Sequence, residues 1–147
     1  EAKSMGNGYK LLEFNINPVP ASRPRVTRWS TYYSKKYTQF KLDMIALTSE
    51  MHFAPFEGLL GVDIGFYIAM PKSWSKKKKE SKEGRYCDNN ADVDNYLKAI
   101  LDSLNEVVYV DDRQIVEISA RKIYSSTPCI KFKYKTIGDE DDKSRIM

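Results

Sequence analysis

A single histidine, His52, stands in 147 residues, which removes most histidine-based chemistry at once. Ser/His/Asp hydrolysis, His-Asn-His nucleases and histidine-rich metal sites are poor fits to this composition. The two cysteines, Cys87 and Cys129, share no Cys-x-x-Cys spacing and have no histidine neighbours. That argues against a zinc site or a disulfide framework and leaves both as reduced bystanders. Long apolar runs are missing too. The longest, "GLLGVDIGFYIAM", is interrupted by Asp63 and is too short to cross a bilayer, and the N-terminus lacks an apolar signal core. The expectation is a soluble, cytoplasmic protein with no membrane partner. Internal repeats and long linkers are also lacking, so one domain is expected.

What is present is an ordinary globular composition, 41% hydrophobic and 30% charged. The net charge of +4 is unevenly placed. "SRPRVTR" and "SKKKKESK" precede a cluster of aspartates, and the acidic run "GDEDD" lies in the tail. A basic front half beside an acid cluster suits a polyanion held over a cation site.

Residues 1–8 read as a tag remnant or a disordered start, 9–137 as a single domain, and 138–147 as an acidic disordered tail. "YKLLEFNIN" alternates as a strand does and stops at the prolines of "PVPASRP". In "YTQFKLDMIALTSEMHF", Phe40, Met44, Leu47 and Met51 fall at helical intervals, which predicts an amphipathic helix ended by Ala54-Pro55. "GLLGVDIGFYIAM" reads as a strand closed by Pro71, and 72–90 as an aperiodic, basic, mobile loop. Leu97, Ile100, Leu101 and Leu104 mark the apolar face of a helix beginning near Asp94, and "VVYV" reads as a short strand. "QIVEISARKIY" and "PCIKFKYK" then read as two antiparallel strands joined by Ser-Ser-Thr-Pro. The order predicts an α+β fold, a small mixed β-sheet with two main helices packed on it.

"ADVDNYLKAILDSLNEVVYVDDRQI" gathers Asp92, Asp94, Asp111 and Asp112 around Lys98. A helix from about Asn95 to Glu106 is roughly 18 Å long, and an extended run from Val107 to Asp112 covers roughly 20 Å. A reversal near Asn105 would therefore bring Asp111 and Asp112 back beside Asp92 and Asp94. On the helix, Asp94, Lys98 and Asp102 share one face, with Lys98 about 6 Å along the axis from Asp94. Carboxylates so gathered repel one another unless a divalent cation is present. Mg²⁺ suits such a site because it prefers hard oxygen ligands and uses one or two carboxylates with phosphate oxygens. The chemistry suggested is metal-assisted phosphodiester hydrolysis, typically with two ions about 4 Å apart. A plainer reading stands beside it: Asp92 or Asp94 as a helix N-cap, Asp94 with Lys98 as an i,i+4 pair, and Asp111-Asp112 as a surface turn. An EF-hand is excluded, since Leu97 replaces the glycine at its sixth position and Ser103 the terminal glutamate.

The same segment resembles the signature of the RusA family of Holliday junction resolvases: Asp-x-Asp-Asn-x-x-Lys, then Asp-x-Leu, then Asp-Asp-x-Gln-Ile/Val. Asp92, Asp94, Asn95, Lys98, Asp102, Leu104, Asp111, Asp112, Gln114 and Ile115 match it. The resemblance implies a dimeric, Mg²⁺-dependent endonuclease, with Mn²⁺ as a substitute, often phage- or prophage-encoded, that nicks four-way DNA junctions symmetrically in recombination and repair. Carried over, Asp92, Asp94 and Asp112 would be metal-binding catalytic acids, Lys98 the catalytic lysine and Asp111 an accessory metal ligand. Members often carry glycine at the end of the helix; here Asn105 is expected to supply the left-handed turn. The loop 72–90 is longer than usual, which bears on substrate preference.

Two basic segments fit a DNA surface. Arg23, Arg25 and Arg28 are followed by Trp29, Tyr32 and Tyr33, which either stack on bases or cover the helix. Lys76, Lys77, Lys78 and Lys79, with Lys82 and Arg85, precede the acids. Both are expected to contact phosphates. A different class remains open: a catalytically silent junction- or nucleic-acid-binding protein with a structural metal site. Lys98 discriminates, because a structural metal site has no need of a cation aimed at its acids.

Overall fold

The structure is a computed structural model and describes residues 3–4, 8–51 and 54–138. Its order is β1 (Lys3–Ser4), β2 (Lys10–Phe14), β3 (Arg25–Val26), β4 (Thr31–Tyr32), α1 (Lys35–Ser49), β5 (Leu60–Ala69), α2 (Lys76–Lys82), α3 (Val93–Leu104), a 3₁₀ turn (Asp112–Gln114), β6 (Ile115–Ser125) and β7 (Cys129–Thr136). Five strands form one sheet in the order β1-β2-β7-β5-β6, and β3 and β4 form a separate hairpin. β5 pairs in parallel with β6 and antiparallel with β7, so the sheet is mixed and the fold is α+β, as expected.

Period-two alternation sorts the central strand. Leu60, Val62, Ile64, Phe66 and Ile68 of β5 are buried in the core, together with Leu12 and Phe14 of β2 and Ile130 and Phe132 of β7. α1 covers them with Tyr37, Phe40 and Met44, and α3 with Tyr96, Ala99, Ile100 and Leu104. The opposite residues of the sheet are polar: Arg121 bonds Asp63 at 2.6 Å, and Lys135 approaches Glu117 at 3.8 Å. Helices on one face and ion pairs on the other fit this alternation.

Several expectations need correction. β6 and β7 run antiparallel but do not pair; β5 lies between them, and residues 126–128 arch over its end. The arch must span two strand spacings, roughly 9 to 10 Å, which three residues can do. α1 ends at Ser49 rather than at Ala54-Pro55, and residues 52–53 lie outside the described residues. The backbone of Lys3–Ser4 pairs with Lys10 and Leu11. Residues 1–2, 5–7 and 139–147 lie outside the described residues, so the expected tail is not addressed. Cys87 and Cys129 are both buried and free.

The stretch 72–90 is also not an irregular loop. It contains α2, capped where Lys78 N donates to Ser75 Oγ at 3.1 Å, and then residues that pair onto β6. Gly84 N donates to Tyr124 O, Tyr124 N to Arg85 O, and Cys87 N to Lys122 O. Gly84 turns the chain at φ 78°, a left-handed conformation that glycine adopts without strain. α2 carries no apolar period because none of its residues is buried; its ends hold it instead.

Candidate active site

α3 forms because Tyr96, Ala99, Ile100 and Leu104 give it one continuous buried stripe, with Leu97 and Leu101 packed at its margin. The polar residues are thereby turned outward. Asp92 occupies the N-cap position, yet its side chain caps nothing, and both Asp92 and Asp94 are exposed. Lys98 pairs with Asp102 at 3.7 Å and not with Asp94. Neither plain explanation of the first two acids therefore holds: one is no side-chain cap, and the other is no i,i+4 partner of Lys98. The positive end of the helix dipole is the remaining local support for them.

Two anchors fix the place where these acids stand. The first is Lys122 on β6, whose Nζ donates to Ala91 O at 2.6 Å and to Asn89 Oδ1 at 2.8 Å. Asn89 Nδ2 in turn donates to the Tyr96 hydroxyl at 2.9 Å, and burial pushes the Tyr96 hydroxyl pKa up. The second is Ala21, whose N–H donates to Asn95 O at 2.9 Å and ties the proline/arginine segment to the first turn of α3. Lys122 and Asn89 were not singled out from the sequence. A lysine in a strand carries no pattern that marks it as an internal hydrogen-bond donor.

The far end of α3 is built differently. Asn105 is the C-cap with extended backbone, and Glu106 takes the left-handed turn at φ 66°, correcting the expectation for Asn105. Val107 N and Val108 N both donate to Leu104 O, and Tyr109 is fully buried, its hydroxyl donating to Leu101 O at 2.6 Å. "VVYV" is thus a compact turn and not a strand running back along the helix. As a result Asp112, whose N–H donates to Asn105 Oδ1 at 3.0 Å, stays near the C-terminal end of α3. From there to Asp94 is eleven residues of helix, roughly 16 Å along the axis. The α3 charges that act on the Asp112 carboxyl are those of Asp102 and Lys98. Among the described residues no group of three acids, cysteines or histidines is placed to hold a metal ion.

Asp111 is occupied by structure. Its carboxylate accepts from Arg113 N at 3.0 Å, while its own N–H donates to Gln114 Oε1 at 2.8 Å, a reciprocal capping box on the 3₁₀ turn. The Arg113 amide holds the Asp111 carboxyl below the usual carboxylate range. Gln114 also donates to Phe56 O at 2.7 Å and Gly58 O at 2.8 Å, clamping the turn to the segment that enters β5. Asp112 differs. Partial burial first, then Asp111 and Asp102, raise its carboxyl pKa, and only Lys98 opposes them. Lys98 is thus electrostatically coupled to the Asp112 end and lies one helical turn from Asp94.

The basic residues fall on two exposed elements. Arg25 lies in the β3–β4 hairpin, Arg28 at its tip and Arg23 just before it. Lys76, Lys77, Lys78, Lys79 and Lys82 lie in α2, and Arg85 follows, its Nε bonded to Ser81 O at 2.9 Å. Lys78 also stands over the Trp74 ring at 4.3 Å.

The sequence model of a family described as Endodeoxyribonuclease RusA matches residues 15–133, which takes in the hairpin, α2, the acids and both anchors. The chain belongs to the RusA family. A relative, the uncharacterized protein YqaN of Bacillus subtilis (strain 168), is 33% identical over 142 residues, covering 86% of this chain and 97% of its own. RusA membership makes the acids of α3 candidate residues of an endodeoxyribonuclease family. Among the described residues no helix is long and apolar enough to cross a membrane.

Proposed function

We propose that the protein is a Mg²⁺-dependent, structure-selective endonuclease that resolves four-way DNA junctions by paired symmetric nicks. The observation that carries this reading is the pair of exposed carboxylates, Asp92 and Asp94, on a firmly anchored loop-to-helix junction within a RusA-family chain. A divalent ion fits these donors: two hard carboxylate oxygens with open solvent around them match the Mg²⁺ habit of using one or two carboxylates, water and substrate phosphate. They do not form a closed protein cage, so substrate phosphate would complete the coordination. Bound there, such an ion supplies Lewis-acid stabilisation of the phosphoryl oxygens and a more acidic water.

The chain's own residues divide the remaining work. Asp92 and Asp94 bind the ion. Lys98 steadies the negative charge that builds on the phosphoryl oxygens. Its present bond to Asp102 is an exposed i,i+4 pair, worth about 0.3–0.5 kcal/mol, so a substrate phosphate displaces it easily. Asp112 supports Lys98 from the other side, and Asp111 holds the turn that carries Asp112. Arg23, Arg25, Arg28, the α2 lysines and Arg85 hold phosphates without reading bases. A four-way junction has approximate two-fold symmetry and must be cut on two strands, so a homodimer presents one site to each. The setting is DNA recombination and repair in the cytoplasm of a bacterium or phage-infected host, with the gene carried by a phage or prophage, and Mn²⁺ replaces Mg²⁺.

The test is cleavage of a synthetic four-way junction against a linear duplex of the same sequence, in Mg²⁺, in EDTA, and with Asp94→Asn in Mg²⁺. Paired nicks confined to the junction and dependent on both the metal and Asp94 are expected. Tight junction binding with no cleavage under any condition would establish a silent binder instead.

A further inference from the structure

From Asn15 to Leu42 the chain has no acidic residue and six cations, Arg23, Arg25, Arg28, Lys35, Lys36 and Lys41. The β3–β4 hairpin projects from this segment as a two-stranded sheet apart from the main one. Its tip is held tightly. Thr27 N donates to Ser30 O at 2.7 Å, and the Thr27 hydroxyl accepts from Ser30 N at 2.9 Å and from Trp29 N at 3.3 Å. Its base is held as well, by Ala21 N on Asn95 O and by the Ser22 hydroxyl on Ser34 Oγ at 3.2 Å, with Ser34 itself capping α1.

This well-tied tip presents an indole to water. Trp29 is 85% exposed, so it does not cover the helix, and the Arg28 guanidinium lies 5.4 Å from its ring centroid. An ordinary surface rarely gives up the burial of its largest apolar side chain. Here every charged residue of the segment is cationic, which suits a polyanion that also offers flat aromatic faces. Nucleic acid meets both requirements. In a linear duplex the bases are stacked away inside, whereas a branch point exposes base faces.

We propose that the β3–β4 hairpin is a stacking wedge for unstacked DNA bases: Trp29 stacks on a base at the branch point while Arg25 and Arg28 hold the flanking phosphates. Because Ala21 is bonded to the first turn of α3, a base held by Trp29 registers the branch point relative to Asp92 and Asp94. The hairpin is then the element that prefers branched DNA over duplex, and α2 adds affinity without that preference. The inference rests on the nuclease reading above.

The experiment uses Trp29 as its own reporter. Trp74 is the other tryptophan and packs edge-on against Tyr124 at 5.2 Å, so Trp74→Phe leaves Trp29 as sole emitter. In EDTA, where no strand is cut, a four-way junction is expected to quench Trp29 emission by more than about half, and the linear duplex only weakly, as base stacking on an indole requires. In the otherwise unaltered protein, Trp29→Ala is expected to weaken junction binding about tenfold and duplex binding less than about twofold, while Trp29→Phe stays within about threefold of the parent. Equal quenching by both DNAs, or equal losses on both for Trp29→Ala, would overturn the wedge. So would Trp29→Ala binding the junction like the parent while cleavage still proceeds, and in that case the nuclease reading survives alone. If the parent protein binds neither DNA, both readings fall.

Discussion

At the start of α3 the Asp92 and Asp94 carboxylates stand in solvent, one in a cap position it does not use, whereas beyond the end of the helix Asp111 is tied into a capping box and its neighbour Gln114 clamps two carbonyls. One contiguous signature thus contains two kinds of residue. Those at the first end are spared by the fold; those at the second end build it. A motif match weights both alike, and only the hydrogen-bond pattern separates them. Asp112 lies between the two cases, with its N–H committed to Asn105 and its carboxyl pushed upward by burial and by Asp111.

The largest expected effect lies at the spared end. Asp94→Asn should lower junction cleavage by at least about 100-fold, in line with losing a metal ligand, while leaving the melting temperature within about 2 °C, as expected for a surface change within ±0.5 kcal/mol. A large fall in melting temperature would show that Asp94 belongs with the scaffold. Replacing Lys76 to Lys79 with alanine sharpens the contrast between binding and chemistry. Junction affinity should drop, and the slope of log affinity on log salt should flatten by about 2 to 3, since each lost phosphate contact removes about 0.9. An unchanged slope would remove α2 from the DNA surface.

At the built end the effects are on stability. Gln114→Ala loses the bonds to Phe56 O, Gly58 O and Asp111 N, so about 2 kcal/mol of unfolding free energy should disappear in urea titration. A loss confined to activity would contradict its role as a clamp. Glu106→Gly should go the other way, gaining up to about 1 kcal/mol, because glutamate at φ 66° bears a steric cost that glycine avoids. The smallest effect concerns Asp88, which accepts from the Tyr124 hydroxyl at 2.6 Å and has its pKa lowered first by that bond. A depressed folded-state pKa stabilises the fold above the unfolded value of 3.8 and loses that contribution as pH falls through the folded value. Tyr124→Phe should therefore narrow the gap in melting temperature between neutral pH and pH 3; an unaltered gap would disconnect Asp88 from acid stability.

The elements with strong periodicity were legible in the sequence: the buried stripe of α3, the apolar β5, and Phe40 and Met44 of α1. The neighbour relation of β6 and β7 was not. Two alternating runs joined by a short turn look the same whether they pair directly or arch over a third strand. α2 escaped notice because it buries nothing, and the period of a helix is visible only through what it buries. The acids and Lys98 were legible as a pattern, but the turn that follows the helix was not. That depended on Glu106 turning left-handed and on Tyr109 being drawn into the core, which keeps Asp112 at the far end of the helix. Lys122, which fixes the loop ahead of Asp92, gave no signal because its partners are backbone carbonyls and an asparagine.

The most direct test of the division between the two ends is a calorimetric Mn²⁺ titration of Asp94→Asn and Asp111→Asn beside the parent protein, paired with their melting temperatures. Asp94→Asn should lose Mn²⁺ binding and keep its melting temperature, and Asp111→Asn should keep Mn²⁺ binding and melt lower. The reverse pattern, with metal binding lost at Asp111 and stability lost at Asp94, would contradict the account.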